Sequence, residues 1–333
     1  MTKNILRIEV VRSKIRAYSS MSEVSARAIV TTLQQYYTEV VMTNIDTKAD
    51  LEALVARQPD LVFLGIHYVK DDTELATKIW VSDALEAHGI RHTGSQMLSH
   101  RLGVNKHLAK QRMVENNLKT AAFQIVRRGD KKITDEGTLH FPLFVKPSNK
   151  GGGQGIDEFS IVRTIKELQD KITSIHQVHE SDALIETYLR GREFSVAVID
   201  DSTTHQLTAM PIELIASKDS NGDRMLSRAV KTADEETTVL GVTDAAVHLK
   251  LTTFAIDAFR ALGARDYGRI DVRFDDEGTP HFLEVNLIPS LIDNYGSFPR
   301  AYALNLGLGY EAMILHIVRL ALAHETQTTV AAY

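Results

Sequence analysis

The stretch Tyr267–Ser290, YGRIDVRFDDEGTPHFLEVNLIPS, holds two alternating runs on either side of a turn. Ile270, Val272 and Phe274 fall on one face of the first run, and Leu283 and Val285 match them on the second. Arg269, Asp271, Glu284 and Asn286 take the other face. Strand side chains alternate between faces with a period of two, so each run reads as a half-buried strand. Asp276-Glu277-Gly278 supplies the turn. Centring the hairpin there sets Asp271 opposite Glu284 and Arg269 opposite Asn286, with opposed Cβ atoms roughly 5 Å apart. Two carboxylates, an amide oxygen and a guanidinium then share one patch. Such oxygens suit a hard cation like Mg²⁺, which binds through one or two carboxylates and keeps positions for water and substrate phosphates. The pattern equally fits a solvated sheet face with a cross-strand ion pair.

Upstream, Phe141–Ile156 reads FPLFVKPSNKGGGQGI. An apolar strand ends in Lys146-Pro147-Ser148 and runs into Gly151, Gly152, Gly153 and Gly155. Glycines let backbone N–H groups wrap an anion, and Lys146 and Lys150 add charge. Neither the Gly-Lys-Ser/Thr ending of a Walker A loop nor the G-x-G-x-x-G dinucleotide spacing is present. A flexible hairpin loop explains the glycines almost as well. In ALIETYLRGREFSVAV, residues 183–198, Glu186 ends one strand and Glu193 opens the next.

The chain has 333 residues, 44% of them hydrophobic, which suits two or three domains with ordinary cores. A net charge of −5 gives no basic footprint for nucleic acid. There is no cysteine. That excludes disulfide scaffolds, thiolate zinc sites and cysteine nucleophiles. No apolar run approaches the roughly 20 residues of a membrane span. The first residues, MTKNILRIEV, read as a buried strand without the marks of a signal peptide, so a cytoplasmic location is the expectation. Short apolar runs at Ile5–Val10, Glu39–Thr43 and Leu61–Ile66 read as strands, separated by helices over Ser22–Tyr36 and Lys48–Arg57 and followed by one over Thr73–His88. This order predicts a small parallel-sheet unit. Further helices are expected over Asn105–Asn116, Asp244–Leu262 and Glu311–His324. Strands are expected at Ala121–Val126, Leu143–Lys146, Ala183–Glu186, Glu193–Ile199 and Gln206–Leu214, with a polar loop over Lys218–Glu236. His176 and His179, followed by Glu180, show no third metal ligand and read as a solvated helix end.

Taken in order, Lys106, the VKPS strand with its Gly-rich loop, IETYLRGREF, and RIDV followed by LEVNLIPS resemble the ATP-grasp superfamily. Within it the chain is most similar to D-alanine–D-alanine ligases, from Thr93-Gly94-Ser95 to Pro289. The resemblance implies an α/β (α+β) ATP-grasp fold of three domains. A parallel-sheet N-terminal domain would span 1–100, a central subdomain 101–182 and a catalytic domain 183–330, with the nucleotide held between the last two. It further implies that Lys106 and Lys146 reach the α- and β-phosphates. Lys150, Gly151, Gly152 and Gly153 would belong to a lid over the phosphates. Glu186, Tyr188, Leu189 and Leu283 would line the base pocket, with Glu193 on the ribose. Asp271, Glu284 and Asn286 match ligands of Mg²⁺, or of Mn²⁺ in its place. Arg269 and Lys231 match groups beside the transferred phosphate, and His67 and Ser290 lie on the substrate side.

The activity implied is ATP-dependent joining of a carboxylate to an amine through an acyl phosphate, by an enzyme of peptidoglycan synthesis. Its partners would be small amino-acid-like substrates and a second copy of the chain, with neither nucleic acid nor membrane. The phosphate residues match the family, whereas the amino-acid pocket departs from it. Met21 stands where the family has an amine-binding glutamate, with Glu23 nearby. Gly152, Thr232, Ser290 and Tyr295 replace other family residues. D-alanyl-D-alanine is the product the resemblance most commonly implies, and a ligase whose carboxylate, amine or both differ from D-alanine is the competing reading. A non-catalytic ATP-binding module and a small-molecule kinase on the same fold are the alternatives.

Overall fold

The computed structural model describes residues 3–15, 18, 21–71, 77–130, 139–201, 203–204, 206–218, 221–225 and 237–324. The first sheet consists of β1 (Asn4–Arg12), β2 (Tyr37–Asn44) and β3 (Leu61–Leu64), parallel and in the order β2-β1-β3. Helices α1 (Glu23–Leu33) and α2 (Lys48–Ala56) make the crossovers. Both begin where the sequence offers a side-chain cap: the Ser25 amide donates to Ser22 Oγ, and Thr47 with Asp50 forms a capping box. The parallel unit expected from the β-α-β-α-β order is thus present.

The helix expected over Thr73–His88 is corrected. Its described part splits into β5 (Lys78–Trp80), paired antiparallel with β4 (Tyr68–Lys70), and a short α3 (Val81–Ala87). Isoleucine and tryptophan favour a pleated surface, and β4 supplies hydrogen bonds that a helical reading of the apolar spacing leaves out. Residues 72–76 lie outside the described residues.

A second sheet follows α4 (Met97–Gly103) and α5 (Lys106–Glu115). It holds β6 (Phe123–Val126), β7 (Leu143–Pro147), β8 (Ile161–Val162) and β9 (Ala183–Thr187) in the order β6-β9-β7-β8, backed by α6 (Ile165–Val178). The third sheet contains β10 (Glu193–Ile199), β11 (Thr208–Ala216), β12 (Thr237–Gly241), β13 (Tyr267–Phe274) and β14 (Pro280–Asn286). It is antiparallel, in the order β12-β11-β10-β13-β14. Helix α7 (Ala245–Ala261) buries Phe254 and Phe259 against Phe194, Val272 and Phe282 of this sheet. Helices α8 (Ser297–Leu306) and α9 (Tyr310–Ala323) complete the chain, and Ile314 and Ile317 of α9 share a core with Ile8, Val10 and Phe63 of the first sheet. Among the described residues no single helix is long and apolar enough to cross a membrane.

The decisive hairpin has the expected pairs, Asp271 with Glu284 and Arg269 with Asn286, but not a regular ladder. Val272 pairs with Phe282, so the register shifts by one beyond Asp271 and leaves Leu283 as the extra residue of a β-bulge. The inward residue there is Phe282, fully buried, and not Leu283 as strict alternation predicts. The bulge turns Leu283 and Glu284 to the same side.

Candidate active site

One cleft of about 830 Å³ is lined by residues of the second and third sheets and of the β4–β5 hairpin. Of the residues singled out in the sequence, His67, Lys106, Lys146, Lys150, Gly151, Gly152, Glu186, Tyr188, Leu189, Glu193, Arg269, Asp271, Leu283, Glu284, Asn286 and Ser290 line it. Gly153 is buried and does not. Lys231 and most of the polar loop lie outside the described residues. Eight lysine and arginine side chains and five carboxylates line the cleft, so it is cationic although the whole chain is acidic. That balance suits a polyanion.

The hairpin patch occupies one wall. Arg269 donates to both Asp271 oxygens, at 2.9 and 2.8 Å, in a bidentate pair. Asn286 Nδ2 donates to Asp271 at 3.3 Å, and Ser195 of the adjacent strand β10 donates to it at 2.9 Å. Asp271 is therefore held from both sides of its strand. Glu284 lies 3.4 Å from the Lys106 ammonium. Burial opposes the charge of Arg269, but Asp271 and Glu284 outweigh it and hold the guanidinium firmly protonated. Among the described residues no group of three His, Cys, Asp or Glu side chains could hold a metal alone. Asp271, Glu284 and the Asn286 amide oxygen form a partial shell of hard donors. This fits Mg²⁺ only if a bound phosphate supplies further oxygens.

Opposite lies a buried charge network. Lys146 ends β7 and meets Glu186 of β9 at 2.6 Å, and Lys110 of α5 grips the other oxygen of Glu186. Desolvation lowers Lys110 to about 8. Desolvation also works against Lys146, yet Glu186 and Glu284 raise it above the ordinary lysine value. Burial favours a neutral Glu186, but the two lysines keep its carboxyl below the usual range. The Lys106 amide donates to the Ser148 carbonyl and its ammonium to the Lys150 carbonyl at 2.6 Å, tying α5 to the Gly-rich loop. Gly152 has φ +61° and a Cβ there would meet nothing within 4 Å. Glycine at this point serves backbone shape and ligand approach, not packing.

At the far end, Arg273 donates to Tyr188 Oη at 3.1 Å and lies 3.3 Å from Glu193, and its guanidinium sits over the Tyr188 ring. Tyr188 also bonds the Arg224 backbone and packs beside Phe144. Sequence reasoning missed Ser195, Arg273 and Lys110. The alternation that gave Arg269 and Asp271 continues to Arg273, and Lys110 follows Lys106 by one helical turn, so both signals were present.

His67 is half-buried, with Nδ1 3.1 Å from Nδ1 of the buried His100. Desolvation, then Lys78, lowers its pKa to about 4. Met21 packs in the core against Gly65 and does not line the cleft. Glu23 is bound by Arg27 at 2.6 Å and does not line it either.

A family model described as "D-ala D-ala ligase C-terminus" matches residues 113–319. The D-alanine–D-alanine ligase of Geobacter sulfurreducens is 27% identical over 324 residues, covering 96% of each chain. The uncharacterized protein y4sG of Sinorhizobium fredii is 29% identical over 237 residues, covering 71% of this chain and 68% of its own. In fold, the chain matches the D-alanine–D-alanine ligase of Bacillus anthracis solved with ATP. That likeness has a TM-score of 0.74 at 23% identity and covers 95% of this chain and 97% of that one. The family match spans more than half of the sequence, and the chain belongs to the D-alanine–D-alanine ligase family of ATP-dependent ligases.

Proposed function

We propose that this enzyme joins a small carboxylic acid to an amine through an acyl phosphate, using ATP and Mg²⁺. The observation that carries the proposal is the Arg269–Asp271–Glu284–Asn286 patch facing Lys106, Lys146 and the Gly-rich loop across one cleft. Binding ATP alone does not call for an arginine fixed among the acidic groups. Lys106 and Lys146 hold the α- and β-phosphates, Glu193 the ribose, and Tyr188, Leu189 and Leu283 the base. Asp271, Glu284 and Asn286 would hold Mg²⁺, which when bound neutralises phosphate charge. An oxygen of the substrate carboxylate attacks the γ-phosphorus, the bond to the β–γ bridging oxygen breaks, and ADP leaves. Arg269 offsets charge on the moving phosphoryl group, a role in which one fixed donor is worth about 3–4 kcal/mol. The amine then attacks the acyl carbon, and phosphate departs with the bonding pair. The lid residues Lys150–Gly153 exclude water that would hydrolyse the intermediate, and Lys231 joins Arg269 in offsetting charge on the phosphoryl group.

The domain division at about residues 100 and 182, a homodimer and a cytoplasmic location belong to the same proposal. D-alanyl-D-alanine is one product to test, and another dipeptide or amide is the alternative. The core-packed Met21 and the Arg27-bound Glu23 favour the alternative, because neither side chain lines the cleft. The test is ADP release screened over pairs of D- and L-amino acids, with product masses. A condensed product from an acid–amine pair supports the ligase. A stable phosphorylated acid with no amine requirement supports a kinase instead.

A further inference from the structure

The β4–β5 hairpin gives the cleft a wall with its own chemistry. Tyr68 pairs with Trp80 and Lys70 with Lys78, so these four side chains share a face. Tyr68, Lys70 and Lys78 line the cleft. The hairpin is fixed at its base: the Val81 amide donates to the His67 carbonyl and the His67 amide to the Tyr18 carbonyl. Tyr18 packs on Tyr68 with ring centres 5.4 Å apart.

Like charges directly opposed across a hairpin repel. Among the described residues neither Lys70 nor Lys78 has a carboxylate partner, whereas Lys106, Lys146, Arg269 and Arg273 of the same cleft each have one. Among the described residues the carboxylates lining the cleft all belong to positions from Glu180 onward; Asp72 and Glu74 lie outside the described residues. Edge-strand lysines often serve only to keep a hairpin solvated. Lys78 instead folds back, its ammonium 4.3 Å from the centre of the Tyr68 ring. Desolvation, then the nearby Lys70 and Lys150, lower its pKa, and a bound anion offsets the repulsion among these cations. Lys150 belongs to the Gly-rich loop and lines the same cleft, so Lys78 stands near the loop that the ligase reading sets over the phosphates.

Resting on the ligase reading above, we propose that Lys70 and Lys78 form an anion subsite for the acid substrate, which is a dicarboxylic acid rather than a compact monocarboxylate. One carboxylate faces the triphosphate and the other the two lysines.

The full chain, with Mg²⁺ and a non-hydrolysable ATP analogue, is titrated by calorimetry with succinate, glutarate, and D- and L-aspartate and glutamate, against butyrate and D-alanine. At least one diacid binds about tenfold more tightly than butyrate or D-alanine, the scale of a charge-assisted hydrogen bond. Lys70→Met and Lys78→Met each remove that advantage and leave analogue affinity unchanged. No diacid preference, or a loss confined to the analogue, overturns the subsite; the latter gives the lysines to the triphosphate. ADP release over the same panel separates the two claims. D-alanine as the sole productive acid keeps the ligase and removes the subsite. Lysine-dependent diacid binding without ADP release from any acid–amine pair keeps the subsite and removes the ligase.

Discussion

Glu284 is the patch carboxylate that Arg269 does not pair with, since Arg269 donates to both oxygens of Asp271. Glu284→Gln removes the charge while keeping shape, and ADP formation is expected to fall by at least about a hundredfold in a coupled assay. Near-normal turnover would take Glu284 out of the metal site. Arg269→Lys keeps a positive charge but loses the planar fork. It is expected to lower kcat by about a hundredfold with little change in KM for ATP. Glu186 is the carboxylate that two buried lysines share, Lys110 donating also to Thr120 Oγ1 and to the Phe282 carbonyl. Glu186→Leu leaves those cations buried and is expected to cost about 3–5 kcal/mol in urea unfolding. An unchanged midpoint would mean that Lys110 and Lys146 reach water without it.

At the scale of elements, the β9–β10 turn abuts the hairpin at Gly191, where an added Cβ would run into the Phe274 carbonyl. Gly191→Ala is expected to destabilise by about 1–3 kcal/mol, read as a lowered denaturant midpoint. It is also expected to weaken ATP binding, since Arg273 donates to the Gly191 carbonyl. Legibility of the elements followed the strength of local signals. β13 and β14 were plain because their polar and apolar residues alternate, and the catalytic-side register came out right. The bulge at Leu283 was not legible, because one extra residue leaves alternation intact on each side of it. β5 reads as helix in sequence because its three residues draw strand character from β4. α8 escaped notice because Gly296 at its start offers no side-chain cap. The substrate wall was illegible for a similar reason: Lys70 and Lys78 meet only through hairpin pairing.

Across the whole molecule, packing joins the first sheet to the last described helix. α9 closes the core of the first sheet, and the Arg91 guanidinium donates to the His324 carbonyl. The contact of half-buried His67 with buried His100 adds a pH dependence. Both imidazoles have folded pKa values below the ordinary 6.5, His67 at about 4. Between pH 4 and 6.5 the unfolded chain binds more protons, so stability rises with pH there and falls on acidification. The Tm difference between pH 4.5 and 7 is expected to shrink in a His67→Gln, His100→Asn variant; an unchanged difference would contradict the burial argument. The most direct test of the central claim uses an acid substrate labelled with ¹⁸O in its carboxylate, with ATP, Mg²⁺ and the amine that the ADP screen selects. Passage through an acyl phosphate transfers one labelled oxygen into the released phosphate, read by mass spectrometry. Phosphate free of label, with both oxygens retained in the acid, would contradict it.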